Sequence, residues 1–208
     1  MSIFTLKDVS FKNIVRYPNL EIKPNCATFI CGESGSGKST LLKLLNGAIS
    51  PTSGEIIYNG ENINNLDPIA LRREVLLVGQ NAFLFDKSIK DNFQDFYNYR
   101  DITAIEDAKI QHFLEICAIN LPLKNMCNVL SGGERQRIFL AINLSLGAKV
   151  LMLDEPTSAL DDKNAHNLMQ NVKDFCKQNA MTLIVVSHDT AIAEKYADRI
   201  ITLDGGAK

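Results

Sequence analysis

The sequence contains no apolar run approaching the roughly 18 residues that cross a bilayer as a helix, so a role at a membrane is expected to depend on another subunit. Its first residues, MSIFTLKDVS, lack the basic start and apolar stretch of an export signal. Cys26, Cys31, Cys117, Cys127 and Cys176 form no CxxC pair, and an odd count leaves a thiol over. Reduced thiols are therefore expected, with neither a disulfide framework nor a cysteine metal site. There is no basic block: the formal charge is -2 and Arg72-Arg73 stands beside Glu74, which gives no electrostatic reason to expect nucleic acid. Internal repeats, low-complexity tracts and long linkers are also missing. With 208 residues, 46% of them hydrophobic and 22% charged, the chain reads as one compact domain spanning 1–208.

What the chain does have is an alternation of strand and helix signals. Ile3–Phe11 reads as an imperfect edge strand, and Ala27–Cys31 as a short buried strand that ends at Gly32. Leu41, Leu42, Leu44 and Leu45 then repeat at helical spacing up to Asn46-Gly47. Asn59-Gly60 is a tight-turn signal after the strand-like EIIY, which suggests a β-rich flap. Val75–Val78 is another strand. From Asn92 to Asn128 the pattern is mainly helical, with Ile105, Ala108, Phe113, Leu114 and Ile116 as inward candidates. Beyond Arg135 the order is helix, strand Val150–Leu153, helix Asn164–Cys176, strand Thr182–Val186 and strand Ile200–Leu203. This alternation implies an α/β fold, a parallel sheet covered by helices.

Two segments carry chemistry on their own. Gly32-Glu33-Ser34-Gly35-Ser36-Gly37-Lys38-Ser39, followed by Thr40, satisfies G-x-x-x-x-G-K-[ST] between a strand and a helix. Glycines let the backbone wrap a phosphate, and the helix start supplies N–H groups and partial positive charge. Lys38 reaches the β/γ-phosphates and Ser39 can ligate Mg²⁺. Val150-Leu151-Met152-Leu153-Asp154-Glu155 is an apolar strand ending in two carboxylates, one suited to the Mg²⁺ shell (Asp154) and one to polarising water (Glu155). Together these say P-loop nucleotidase and no more.

Leu130-Ser131-Gly132-Gly133-Glu134-Arg135-Gln136-Arg137 resolves the class. It resembles the LSGGQ-type signature of ATP-binding cassette (ABC) proteins, with Glu134 at the usual Gln position. The resemblance spans essentially the whole chain and includes Gln80 of a glutamine loop, Ser158-Ala159-Leu160-Asp161 after the acidic pair, and Ser187-His188-Asp189.

That resemblance implies a RecA-like P-loop NTPase core with a β-rich flap and an inserted helical subdomain at approximately 86–140. It implies ATP and Mg²⁺ as cofactors, with Gln80 sensing metal and water beside Ser39 and Asp154, and Glu155 and His188 acting in catalysis with Lys38. Ser131 and Gly133 would meet the nucleotide of a second copy in an ATP-dependent head-to-tail dimer, with Asp161 communicating across it.

One departure stands out: the family's adenine-stacking aromatic falls at Asn13, which leaves Tyr17 as an alternative stacker and Phe11 as core. Phe83-Leu84-Phe85, Phe93, Phe96, Tyr97 and Tyr99 concentrate aromatics after Gln80, where the family docks a coupling helix, and Phe83 and Phe85 are the expected contacts. The implied role is the ATPase subunit of a transporter, held at the cytoplasmic face of the membrane by a separate transmembrane permease. The LPLKNMCNVLSGGERQRIFLAINLSLGAKVLMLDEPTSALD stretch resembles small cassettes associated with metal or iron export, and the glutamine-loop region resembles drug and peptide exporters. The alternative is a soluble cassette ATPase of iron-sulfur cluster assembly.

Overall fold

The computed structural model describes residues 1–12 and 14–203. These residues divide into two compact units: those up to 77, 148–155 and those from 176 onward in the first, 78–147 and 156–175 in the second.

The first unit is built on two sheets. One is antiparallel, in the order β2-β1-β5-β6 with β3 also on β1, from Phe4–Phe11 (β1), Val15–Arg16 (β2), Leu20–Ile22 (β3), Ser53–Tyr58 (β5) and Glu61–Asn62 (β6). β1 is an interior strand, not the edge strand its imperfect alternation suggests. β3 and β2 share one of its sides along its length and β5 takes the other, so Phe4, Leu6 and Val9 are buried. A bulge between Lys7 and Ser10 explains the broken alternation. Asn59 and Gly60, both at positive φ (49° and 88°), close the two-residue β5–β6 hairpin.

The other sheet runs β10-β4-β9-β8-β7, from Ala27–Cys31 (β4), Val75–Val78 (β7), Val150–Asp154 (β8), Thr182–Val186 (β9) and Arg199–Thr202 (β10). β4, β8 and β9 are buried at every position, as expected of parallel strands covered on both faces. The helix Lys38–Leu45 (α1) sends Leu41, Leu42, Leu44 and Leu45 into a core shared with residues of both sheets, among them Phe4, Leu6, Ile56, Met152 and Ile184. Pro68–Glu74 (α2) is started by Asp67, whose carboxylate accepts from the N–H groups of Ile69 and Ala70.

The second unit is helical: Ile89–Asn98 (α3), Asp107–Ile116 (α4), Gly132–Ser145 (α5) and most of Asp162–Gln178 (α6). α4 buries Ile110 and Leu114, with Cys117 just beyond, whereas Ala108 is exposed and Phe113 half-buried. The helix is phased on the 110–114–117 stripe, so of the expected inward set Ile105 and Leu114 are buried, Phe113 and Ile116 half-buried, and Ala108 exposed. A last helix, Thr190–Tyr196 (α7), belongs to the first unit.

Candidate nucleotide site

Three neighbouring parallel strands in the order β4-β9-β8 end at Cys31, Val186 and Asp154. The glycine loop, Ser187-His188 and Glu155 therefore leave the same edge of the sheet, the carboxyl edge where open α/β sheets take ligands.

At Gly32, with φ +150°, a Cβ would lie 2.3 Å from the Leu203 carbonyl oxygen, so no side chain fits. Glu33, Ser34 and Gly35 form an exposed rim, and a Cβ at Gly35 would meet nothing within 4 Å. Beneath the rim the Ser36 hydroxyl is buried and has no hydrogen-bond partner. Lys38 is only 7% exposed and folds back so that Nζ donates to the carbonyls of Gly32 (2.8 Å) and Glu33 (2.7 Å). α1 begins without a side-chain cap, which leaves its first N–H groups to a ligand. An orphaned hydroxyl, a centred ammonium and uncapped amides together make a cradle for a polyphosphate.

Ser39 Oγ donates to Asp154 Oδ1 at 3.0 Å. Burial pushes the Asp154 carboxyl above its ordinary value, opposed by the Ser39 hydrogen bond; the neighbouring Glu155 charge raises it further, and Lys43 and Lys38 counter it. A hydroxyl and a buried carboxylate form a hard-oxygen pair that suits a divalent cation such as Mg²⁺. Glu155 sits at φ +52°, in the left-handed region that costs a non-glycine residue on the order of 1–3 kcal/mol. Its N–H donates to the Val186 carbonyl at 3.0 Å, which fixes the acid between β8 and β9. His188 Nδ1 lies 3.7 Å from Glu155 Oε1. Ser187 and Asp189 hold His188 outward: the Asp189 N–H donates to Ser187 Oγ at 3.0 Å, and the Asp189 carboxylate caps α7.

In the helical unit, Gln80 is exposed two residues after β7. Ser131 is the exposed N-cap of α5 in a capping box: its Oγ–H and N–H donate to Glu134 Oε2 at 2.7 and 2.9 Å, and the Glu134 N–H returns to Ser131 Oγ at 3.3 Å. The Ser131 hydroxyl and N–H hold the Glu134 carboxyl below its usual value. A Cβ at Gly132 would meet nothing within 4 Å, whereas one at Gly133 would approach Arg137 and Ala159. Asp161 accepts from Asn164 at 3.0 and 2.6 Å.

The aromatic cluster of this unit divides in two. Phe93 and Tyr97 are core residues, while Phe83 (61% exposed) and Tyr99 (72%) face outward with Phe85 between them, ring centroids 5.1 and 6.1 Å away. Sequence reasoning missed two residues that fix this surface. Asn92, fully buried, accepts from the Phe85 N–H at 2.8 Å and donates to the Phe85 and Ser88 carbonyls, and Arg135 donates to the carbonyls of Cys127 and Leu84. The signal available in the sequence was an asparagine at helical spacing among the apolar positions Ile89, Phe93 and Tyr97.

The ABC transporter family profile matches residues 15–158. The chain belongs to the ABC transporter family. It is 37% identical over 187 residues to the probable iron export ATP-binding protein FetA of Escherichia coli (strain K12), covering 89% of this chain and 82% of that protein. It is also 37% identical to the energy-coupling factor transporter ATP-binding protein EcfA2 of Ligilactobacillus salivarius (strain UCC118), covering 97% of this chain and 69% of that protein. Among solved structures it resembles the dimeric ATP-binding cassette MJ0796 in a post-hydrolysis state bound to ADP and Pi, with TM-score 0.85, 27% identity and coverage of 98% and 97%. The fold is that of P-loop NTPases, and the chain is an ATP-binding, ATP-hydrolysing cassette of the transporter type.

The base end of this cassette departs from expectation. Tyr17 does not stand out as a stacking surface: it is 2% exposed and its hydroxyl donates to the Gly37 carbonyl at 2.9 Å. Its register is the reason. Val15 and Tyr17 are both buried while Arg16 is exposed, so the ring turns inward with Val15, beneath the phosphate loop. Asn13 lies outside the described residues, and Phe11 is half-buried, packed against the core.

Proposed function

We propose that two copies of this cassette close head to tail around two MgATP and thereby drive a separate membrane-spanning permease. Among the described residues no helix is long and apolar enough to cross a membrane, so transport falls to that partner, which would hold the cassette at the cytoplasmic face. In each site Gly32 to Thr40 cradles the phosphates, and Lys38 faces the β/γ-phosphates. Ser39 and Asp154 would hold Mg²⁺, with Gln80 as its sensor; the ion supplies charge neutralisation of the phosphates. Glu155 takes up the proton of the attacking water, and His188 orients that water against the γ-phosphate. Ser131 and Gly133 of the opposite copy complete the cage, carried on an inserted helical subdomain. Phe83 and Phe85 receive the permease.

The observation that supports this reading best is the meeting of Lys38, Ser39, Asp154, Glu155 and His188 at the carboxyl edge of one sheet. The likeness to FetA favours export of a metal ion as the driven process. Pull-down of the tagged chain from detergent-solubilised membranes tests the partnership. Recovery of a polytopic protein that stimulates ATP hydrolysis is expected, and recovery of soluble proteins alone, with hydrolysis unchanged by membranes, would overturn it.

A further inference from the structure

Gly37 is the N-cap of α1, with φ +91° and ψ 12°. Its carbonyl accepts the first helical bond from the Leu41 N–H at 2.8 Å and a second from the Tyr17 hydroxyl at 2.9 Å, so both lone pairs are used. Across a trans peptide the C=O of one residue and the N–H of the next point in opposite directions, and no cis bond occurs among the described residues. Pinning the Gly37 carbonyl toward Tyr17 and Leu41 therefore aims the Lys38 N–H the other way, out of the uncapped start of α1. Burial pushes the Tyr17 phenol up to about 12, so the hydroxyl keeps its proton at any working pH. A Cβ on Gly37 would lie 2.8 and 2.9 Å from the Val15 methyl carbons and 3.0 Å from the Tyr17 hydroxyl, so the loop rests directly on this pair.

We infer that Tyr17 is a positioning residue for the triphosphate: its buried hydroxyl locks the Gly37–Lys38 peptide so that the phosphate loop is preformed, and it makes no contact with the base. This rests on the proposed role of Gly32 to Thr40 in holding the nucleotide. Because the brace acts on the phosphates, it serves every nucleoside triphosphate alike.

The test is Tyr17→Phe, which keeps the ring and removes one oxygen. The Gly37 carbonyl retains its Leu41 partner, so no acceptor is orphaned and the variant is expected to fold. Calorimetric titration with MgATP, MgGTP and magnesium tripolyphosphate should show affinity reduced by the same factor for all three, about 5- to 10-fold for one lost hydrogen bond. Val15→Ala, which loosens the packing under Gly37 but leaves the hydroxyl, should change affinity less than about 2-fold. Unchanged MgATP affinity in Tyr17→Phe, a loss for MgATP without one for tripolyphosphate, or an equal loss in Val15→Ala would each overturn the inference. If the unaltered protein bound neither MgATP nor tripolyphosphate, the phosphate-loop reading itself would fail instead.

Discussion

His188 Nδ1 and Glu155 Oε1 stand 3.7 Å apart at the ends of neighbouring strands, a spacing that lets one shift of the exposed histidine close the pair. Glu155 has little freedom of its own, since its backbone is held at φ +52° by the bond to Val186. Local strain of this kind is kept where the surrounding sheet over-determines it.

Glu155→Gln keeps the size and much of the hydrogen bonding but loses the charge proposed to polarise water. Hydrolysis should fall by roughly 10²- to 10⁴-fold, the usual contribution of a general base, while MgATP affinity stays within a few-fold. Single-turnover assays beside equilibrium binding check both halves. Hydrolysis at the normal rate would remove Glu155 from the mechanism.

Asp154 allows a prediction about pH. Its folded-state value is raised by burial, so the folded protein holds that proton more tightly than the unfolded chain. The sign follows: stability from this group is fully present below the ordinary carboxylate value, declines as pH rises through the raised one, and stays lower above it. Asp154→Asn lacks this penalty and keeps an oxygen for the Ser39 hydroxyl. In EDTA at neutral pH its unfolding midpoint should lie above that of the unaltered protein, while Mg²⁺-dependent hydrolysis is lost. A lower midpoint at neutral pH would show that the carboxylate is not a destabilising charge.

The phosphate loop and the acidic pair were legible because their chemistry is written in adjacent residues, and Asn59-Gly60 because a two-residue hairpin demands positive φ. β2 and β3, two and three residues long, were not legible: a period of two cannot be read from so few positions. Tyr17 was misread for the same reason, since only pairing with β1 decides which side of the short β2 segment faces the loop. The phase of α4 depends on what packs against it, so Ala108, expected inward, is exposed while Ile110 is buried. Nor could sequence reveal that Glu155 adopts a left-handed backbone, which the bond to Val186 enforces from another strand.

Phe83 is exposed and its backbone neighbours are pinned by Asn92 and Arg135, so its side chain can be altered without disturbing the helical core. Phe83→Asp should leave the unfolding midpoint and basal ATP hydrolysis nearly unchanged. Binding of the proposed permease, if it docks on Phe83, should weaken by more than about 30-fold, the scale of a truncated aromatic anchor worth about 2 kcal/mol. Co-purification with the membrane subunit measures it, and undiminished recovery would move the docking surface elsewhere.

Ser131 provides the sharpest test of the head-to-tail dimer. In the single chain its hydroxyl and N–H already donate to Glu134, so meeting a phosphate requires them to exchange that partner for it. If it meets the nucleotide of a second copy, the trapped γ-phosphate in Glu155→Gln should bind two chains together, and sedimentation should find dimers with MgATP and monomers with ADP. Adding Ser131→Arg places a long cation where the hydroxyl and the N–H of Gly133 must approach an enclosed phosphate. The bulk should cost more than the added charge returns, because the site closes against a second protein surface. The double variant should therefore stay monomeric with MgATP while each chain still binds one nucleotide through Lys38, whose contacts lie in the other compact unit. Loss of nucleotide binding along with dimerisation would place Ser131 in the site of its own chain and end the head-to-tail arrangement.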